Sequence, residues 1–415
     1  MDLLTYIEQS PTIYHAVENA KKILLADGAE ELRENQDWQI ETGKSYVVTR
    51  NGAALIAFRV PEDAENFRVF AAHGDSPCFK IKENPEIVVE DKYVKLNVER
   101  YGGMICSSWF DRPLSVAGRV IVKDGDGLSV KLVKIDRNLL VIPNLAIHMN
   151  REINDGYKYN AQVDMLPLYG GIESKGTFMK LIAEAAGVQE SEILSHDLFL
   201  YNREKAVCWG ADQAYISGPR FDDLECVAAG LQGFLNAPKE KNIAVFCLFD
   251  NEEVGSGSRQ GAASTFLLDT LIRIGEARGE NHSRYVERIS GSFMLSADNG
   301  HAVHPNHTDK TDPTNRPVMN GGVLLKYSAN QRYTTDGFSA AFFKDLCREA
   351  EVPYQIFFNR SDMLGGSTLG NISTSQVPFA TVDIGLAQLA MHSAYETVGA
   401  KDMISMEKLA EALYR

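Results

Sequence analysis

The sequence lacks most of the features that settle a class at once, and each absence narrows the choice. No run of about 18 apolar residues occurs, so nothing of transmembrane-helix length is present. The first residues, MDLLTYIEQSPT, carry neither the basic region nor the apolar core of a secretory signal. Cysteine is sparse: six residues at 78, 106, 208, 226, 247 and 347, with no CxxC pair and none of the density of a disulfide scaffold. Positive charge is in deficit too, 42 Lys+Arg against 56 Asp+Glu for a net −14. That balance disfavours nucleic acid, whose phosphates need a basic face, and an anionic membrane surface. Internal repeats and low-complexity tracts are absent. The expectation is a reduced, cytoplasmic protein with neither nucleic acid nor membrane as partner.

With 44% hydrophobic and 24% charged residues over 415 positions, the rest is ordinary globular composition. At roughly 100–200 residues per domain, that length holds two or three domains. Ser10, Pro11 and Thr12 open a helix whose apolar face is Ile13, Ala16, Ala20 and Leu24, with Gly28 just past its end. Strand-like runs come next at 46–49 and 53–60 around the turn Arg50, Asn51, Gly52, and FRVFAA (67–72) leads straight into His73.

From about Ile81 the texture is short and β-branched: EIVVEDKYVKLNVE, the hairpin VIVKDGDGLSVKLVKI, and RNLLVIPNLAIHM, with helices read near 175–187 and 190–197. After Pro219, strands alternate with helices: a helix over 224–235, IAVFCLF (243–249), a helix from about Gly261, and SFMLSA (292–297). A helix around 337–350, YQIFF (354–358) and PFATVDIG (378–385) complete the series. The alternation implies an α/β fold, a mixed and largely parallel sheet flanked by helices, interrupted by an inserted β-rich domain. The expected parts are 1–80 and 218–415 for the α/β domain and 81–217 for the insertion.

Polar residues gather where these strands end. His73 and Asp75 come after FRVFAA, Glu252 and Glu253 after IAVFCLF, and Asp298 after SFMLSA. Ligand sites in open α/β sheets lie beyond the carboxyl ends of the strands, so these residues can line one pocket of metal-binding type. Asp222, before a helix, and His392, beyond the last strand, can join it. Each also has a bland reading. His73 and Asp75 fit a surface loop, Glu252 and Glu253 fit a solvated helix start, and Asp222 fits an N-cap. Their conjunction favours the metal pocket. His301, His304 and His307 share a spacing of three, but Pro305 breaks the periodicity, and loop packing suits them better.

The sequence resembles the aspartyl aminopeptidases, family eighteen of the metallopeptidases. The resemblance runs through AAHGDSP, IPNLAIHMNREIN, SGPRFDDL, FDNEEVGS, SADNGHAVHPN, GGVLLKYSANQRYTTDG, GGSTLG and VDIGLAQLAMHSAYE, in that order. It implies a zinc-exopeptidase-like catalytic domain with the insertion making dimer contacts, and a homo-dodecamer built from dimers.

By the same resemblance, His73, Asp222, Glu253, Asp298 and His392 match metal ligands, with Asp222 bridging two divalent ions. Asp75 matches the carboxylate that orients His73, and Glu252 the general base acting on a water shared by the ions. His148 matches a histidine lent to a neighbouring subunit's active site. Lys326 and Tyr333 match residues near the pocket for the substrate's first side chain. A lysine there favours Asp or Glu at the peptide N-terminus, since it acts as a point charge. Zinc suits the His and carboxylate donors, and manganese and cobalt also accept them.

The sequence departs from the family pattern at Gly74, where threonine is common, at His307 after Asn306, and over 201–204. Two other readings stay open: a relative with neutral, leucine-type preference, and a non-catalytic assembly protein that keeps the fold. A glycosidase fits poorly, because adjacent carboxylates do not supply an opposed pair flanking a sugar bond.

Overall fold

The computed structural model describes residues 2–238 and 241–415. It divides into two compact units. The first comprises 1–75, 206–391 and 396–415, and the second 76–205 with the short stretch 392–395. The chain therefore passes between units at 75/76 and 205/206, where the sequence places the changes at 80/81 and 217/218. The reason lies in the strands. Cys78–Val89 already belongs to the second unit's sheet, and Val207–Trp209 and Tyr215–Gly218 form a hairpin within the first.

The first unit is built on a nine-stranded mixed sheet. Its order is Glu30–Leu32, Ser45–Arg50, Ala54–Arg59, Ile243–Phe249, Phe67–His73, Phe293–Ala297, Ala380–Gly385, Val323–Lys326 and Tyr354–Phe357. Four neighbouring central strands, Ile243–Phe249 to Ala380–Gly385, run parallel. Ile243–Phe249 is apolar at every position because both its faces are covered, and all seven residues are buried. Helix Phe221–Asn236 is buried almost all round, including Leu224, Val227, Leu231 and Phe234, as a helix inside a layer must be. One large apolar cluster joins Tyr46, Phe58, Phe67, Val245, Phe249, Phe266 and Leu271. A smaller five-stranded sheet orders Val207–Trp209, Tyr215–Gly218, Glu396–Gly399, Ala387–Leu389 and Gly300–His301.

The parallel register decides where chemistry can occur. Phe249 pairs with His73, and Ser296 with Ala71, so these strands finish side by side at one edge. Two glycines permit close approach there. A Cβ on Gly74 would stand 2.8 Å from both Ile13 Cδ1 and Leu248 Cδ1, so any larger residue there requires those two side-chain ends to shift. A Cβ on Gly385 would fall 1.9 Å from the carbonyl oxygen of Asp298.

The second unit is a six-stranded antiparallel sheet: Gly127–Lys134, Leu114–Asp124, Ile193–Asn202, Cys78–Val89, Tyr93–Tyr101 and Leu168–Gly171. Helix Phe178–Ala186 contributes Phe178 and Ile182 to its core, with Phe79, Trp109, Val116 and Leu198. The hairpin read from the sequence closes with Asp124 opposite Gly127. Two expectations fail here. The second helix near 190–197 is a short 3-10 turn, Glu190–Glu192, and then a strand, because residues 193–202 find ladder partners in Leu114–Asp124 far away in sequence. The stretch RNLLVIPNLAIHM forms only isolated bridges, among them Leu114 with Leu140 and Val141 with Leu168. Pro143 there cannot donate to a ladder. Among the described residues, no helix is long and apolar enough to cross a membrane.

Candidate metal centre

His73 ends its strand and is 1% exposed. Its Nδ1 lies 3.1 Å from the Asp75 carbonyl and 3.4 Å from Asp75 Oδ1. Both are acceptors, so Nδ1 carries a proton and Nε2 is left to face Asp222 Oδ1 at 3.4 Å. Asp75 does more than hold this ring. Its two carboxylate oxygens accept from the main-chain N–H groups of Glu252 and Glu253, each at 3.2 Å. One side chain thereby fixes both the histidine and the turn that carries the glutamates. That turn bends through Asn251, whose φ is +61°, and Asp250 secures it by accepting from Asn251 N at 2.8 Å.

Asp222 opens the buried helix, with a cis peptide to Asp223, and its main-chain N–H donates to Glu396 at 3.0 Å. Asp298 stands just past its strand, its N–H bonded to the Ile384 carbonyl at 3.1 Å. Among the described residues of the first unit, two groups of donor atoms result. In His73, Asp222 and Asp298 they lie within 4.8 Å of one another, and so do those of His73, Glu252 and Glu253.

The electrostatics of this cluster are those of crowded anions with little water. Burial pushes the Glu252 carboxyl up to about 8, with Asp298, Asp75 and Asp222 adding to the rise. Burial likewise raises Glu253 well above the usual carboxylate range, next to Asp222, and raises Asp298. Burial opposes charge on His73, yet its bonds to Asp222 and Asp75 hold it well above its ordinary value. Carboxylates and an imidazole presented by a rigid strand edge form a donor set that divalent cations of the zinc type accept, and such ions would relieve the crowding.

His392, His148, Lys326 and Tyr333 were also singled out in the sequence. His392, φ +64°, lies in the stretch that groups with the second unit, where its Nδ1 is 2.6 Å from the Gly103 carbonyl. His148 sits exposed in a run of turns beside Met149, itself 74% exposed. Lys326 ends its strand, points inward and is only 2% exposed. Its Nζ donates to the carbonyls of Asp298 at 2.8 Å and Asn299 at 2.9 Å. Tyr333 is buried with its ring 5.0 Å from that Nζ. His304 and His307 pack against each other on the surface, ring centroids 5.0 Å apart.

Sequence reasoning passed over four buried polar residues around this cluster: Asp223, Asn299, Gln388 and Glu396. Their signal was the polar residue inside an otherwise apolar or strand-like word, as in SADNG and LAQLA.

The profile of the family described as Aminopeptidase I zinc metalloprotease (M18) matches residues 6–414. The chain belongs to the M18 metallo-aminopeptidases. Within this family it is 46% identical to a protein of Clostridium acetobutylicum named "Probable M18 family aminopeptidase 2", over 99% of this chain and 97% of that one. Solved structures agree. The structure of the Ape4 and Nbr1 complex matches with a TM-score of 0.96 at 35% identity, covering 100% of this chain and 84% of that one. The S. cerevisiae mApe1 dodecamer matches at 0.87 and 25% identity, covering 99% and 95%. As an M18 member the protein is a metallo-aminopeptidase, a hydrolase of peptide bonds.

Proposed function

We propose that this M18 enzyme is a cytoplasmic, two-metal aminopeptidase that releases N-terminal residues, Asp and Glu by preference, from peptides. The observation that carries the reading is the gathering of buried His73, Asp222 and Asp298 with half-buried Glu252 and Glu253. In this reading His73, Asp222, Glu253, Asp298 and His392 would hold two divalent ions, zinc first and manganese or cobalt as alternatives, with Asp222 serving as a ligand common to both. Such ions, when bound, polarise the scissile carbonyl, hold the α-amine and acidify a water.

The protein's own part is division of labour. Asp75 holds His73 and the peptide of the Glu252–Glu253 turn, so that neighbouring side chains serve different ends. Glu252 takes the proton of the attacking water and passes it to the leaving amine, the task of a carboxylate close to that water but not itself consumed as a ligand. His148 is assigned to the active site of an adjoining copy. A homo-dodecamer built from dimers is the expected assembly, in keeping with the S. cerevisiae relative.

Acidic preference rests on Lys326, whose charge lies 3.8 Å from Asp298 Oδ2. One observation favours neutral preference instead: main-chain carbonyls already take two of the three Lys326 protons. A non-catalytic role is disfavoured because every ligand and the base are present. The test is metal content per protomer alongside a panel of Asp, Glu, Leu and Lys aminoacyl reporters and N-acyl substrates. Two ions per protomer with fastest turnover of Asp and Glu reporters is expected. Fewer than two ions in an active preparation would remove the two-metal mechanism, and preference for Leu would select the neutral reading.

A further inference from the structure

Beside Asp222 lies a buried polar row that the proposed reaction does not use. It consists of Gln388 in the strand Ala387–Leu389, Asn299 directly after Asp298, and Glu225 in the helix Phe221–Asn236. None is more than 2% exposed. Buried amides are costly unless each end meets its proper partner, and the two ends are not equivalent: the oxygen accepts and the nitrogen donates.

The orientation of the row can be deduced from one peptide group. The Leu386 N–H only donates, and it meets Asn299 Oδ1 at 3.0 Å. That contact fixes the Asn299 oxygen and turns Nδ2 toward three acceptors. These are Gln388 Oε1 at 3.1 Å, Glu225 Oε2 at 3.3 Å and the Phe221 carbonyl at 3.4 Å. Reversing Asn299 would set donor against donor at Leu386 and oxygen against three oxygens. Gln388 must in turn offer Oε1 to Asn299, which leaves its Nε2 for Asp222 Oδ2 at 3.5 Å, the long end of hydrogen-bonding range. Reversing Gln388 would face two amino groups together and two oxygens together.

We propose that Gln388 is a positioning residue for Asp222: a donor aimed by the row Leu386, Asn299, Gln388 steadies the shared carboxylate and so sets how tightly the ions bind. The inference rests on the two-metal reading of Asp222. Its logic is that of outer groups that orient a ligand and thereby tune affinity without touching the ion. Glu396 fixes the Asp222 peptide, and Gln388 fixes the Asp222 carboxylate, so the ligand is held at both ends.

The test uses the full-length protein, Zn2+ as the probe, and competition with a chromophoric chelator. Gln388→Leu removes both the donor to Asp222 and the acceptor for Asn299. Gln388→Met removes the donor without adding charge. Each is expected to weaken the tighter or the looser Zn2+ site about 10–100-fold. Asn299→Asp still accepts from Leu386 but no longer donates to Gln388. It is expected to weaken Zn2+ by acting through Gln388, so adding it to Gln388→Met should weaken binding no further.

Wild-type affinity in whichever Gln388 variant retains the wild-type circular dichroism overturns the proposal. So does a double variant in which the two losses simply add. If wild-type protein itself binds fewer than two ions, the two-metal reading has failed. If it binds two and the Gln388 variants bind equally well, only the role of Gln388 has failed.

Discussion

Lys326 donates from Nζ to the main-chain carbonyl of Asp298 at 2.8 Å, from the end of the strand Val323–Lys326. A residue expected to recognise substrate is thus also a brace on an expected metal ligand. Lys326→Met should leave two buried carbonyls without their donor and lower stability by about 2–4 kcal/mol. It should also reduce the ratio of kcat/KM for Asp over Leu reporters about tenfold, the loss of one point-charge contact. Thermal unfolding and the reporter panel read the two effects separately. A stability loss with unchanged selectivity would show that acidic preference arises elsewhere.

Glu252→Gln keeps the size of the side chain and removes its capacity to take a proton. Turnover should fall about 10²–10⁴-fold, with metal content at the wild-type level. Wild-type turnover in a metal-replete variant would mean that another group is the base.

Asp75→Asn retains one acceptor where two are used, so one of the Glu252 and Glu253 N–H groups would face an amino group. Metal affinity is expected to drop about 10–100-fold, as for other residues that orient ligands. Chelator competition measures this directly, and an unchanged affinity would reduce Asp75 to a folding role.

The metal-free protein should respond to pH in one direction. Burial raises Glu252 to about 8 and lifts Glu253 and Asp298, while Asp222 and Asp75 hold His73 up against the effect of burial. A group whose folded pKa is raised contributes stability that is full below its unfolded value, about 4.3 for Glu, and lost as pH climbs through the folded one. Bound ions replace those protons, so loaded protein escapes the loss. The Tm gap between Zn2+-loaded and EDTA-treated protein should therefore widen from about pH 4.3, the unfolded value, to about 8, where Glu252 gives up its proton. A gap that narrows over that range would contradict the assignment of these carboxyls to the metal site.

If His148 serves a neighbouring copy, two inactive variants should repair each other. His148→Ala and Glu252→Gln protomers, dissociated, mixed and reassembled, should regain a measurable fraction of activity, because some sites receive an intact Glu252 and an intact His148. Mixtures no more active than the separate variants would place His148 outside the reaction.

Much of the first unit was readable because its strands are local and apolar. IAVFCLF and FRVFAA announce buried strands, and a parallel arrangement gathers the residues at their carboxyl ends. His73, the Glu252–Glu253 pair and Asp298 could be linked on that ground alone. The insertion was harder. Strand Ile193–Asn202 carries Ser195, His196 and Asp197 and gains its identity only from pairing with Leu114–Asp124, a partner far along the chain. Helices His282–Gly291 and Asp402–Leu413 lie outside the elements read from the sequence. Gln388 and Asn299 carried only a faint signal, for another reason. An amide in a strand or turn looks like surface until the neighbours that enclose it are known, and those neighbours come from separate segments of the chain.

The row beside Asp222 begins at a peptide group, and its heredity differs from that of a side chain. Substitution at position 386 by anything except proline leaves the N–H in place, so the direction of the row passes unchanged through neutral drift there. Mutation can break the chain at Asn299 or Gln388, but side-chain changes at 386 cannot reverse it. Any replacement of buried Leu386 that the core tolerates, proline excepted, inherits the same orientation at Asp222.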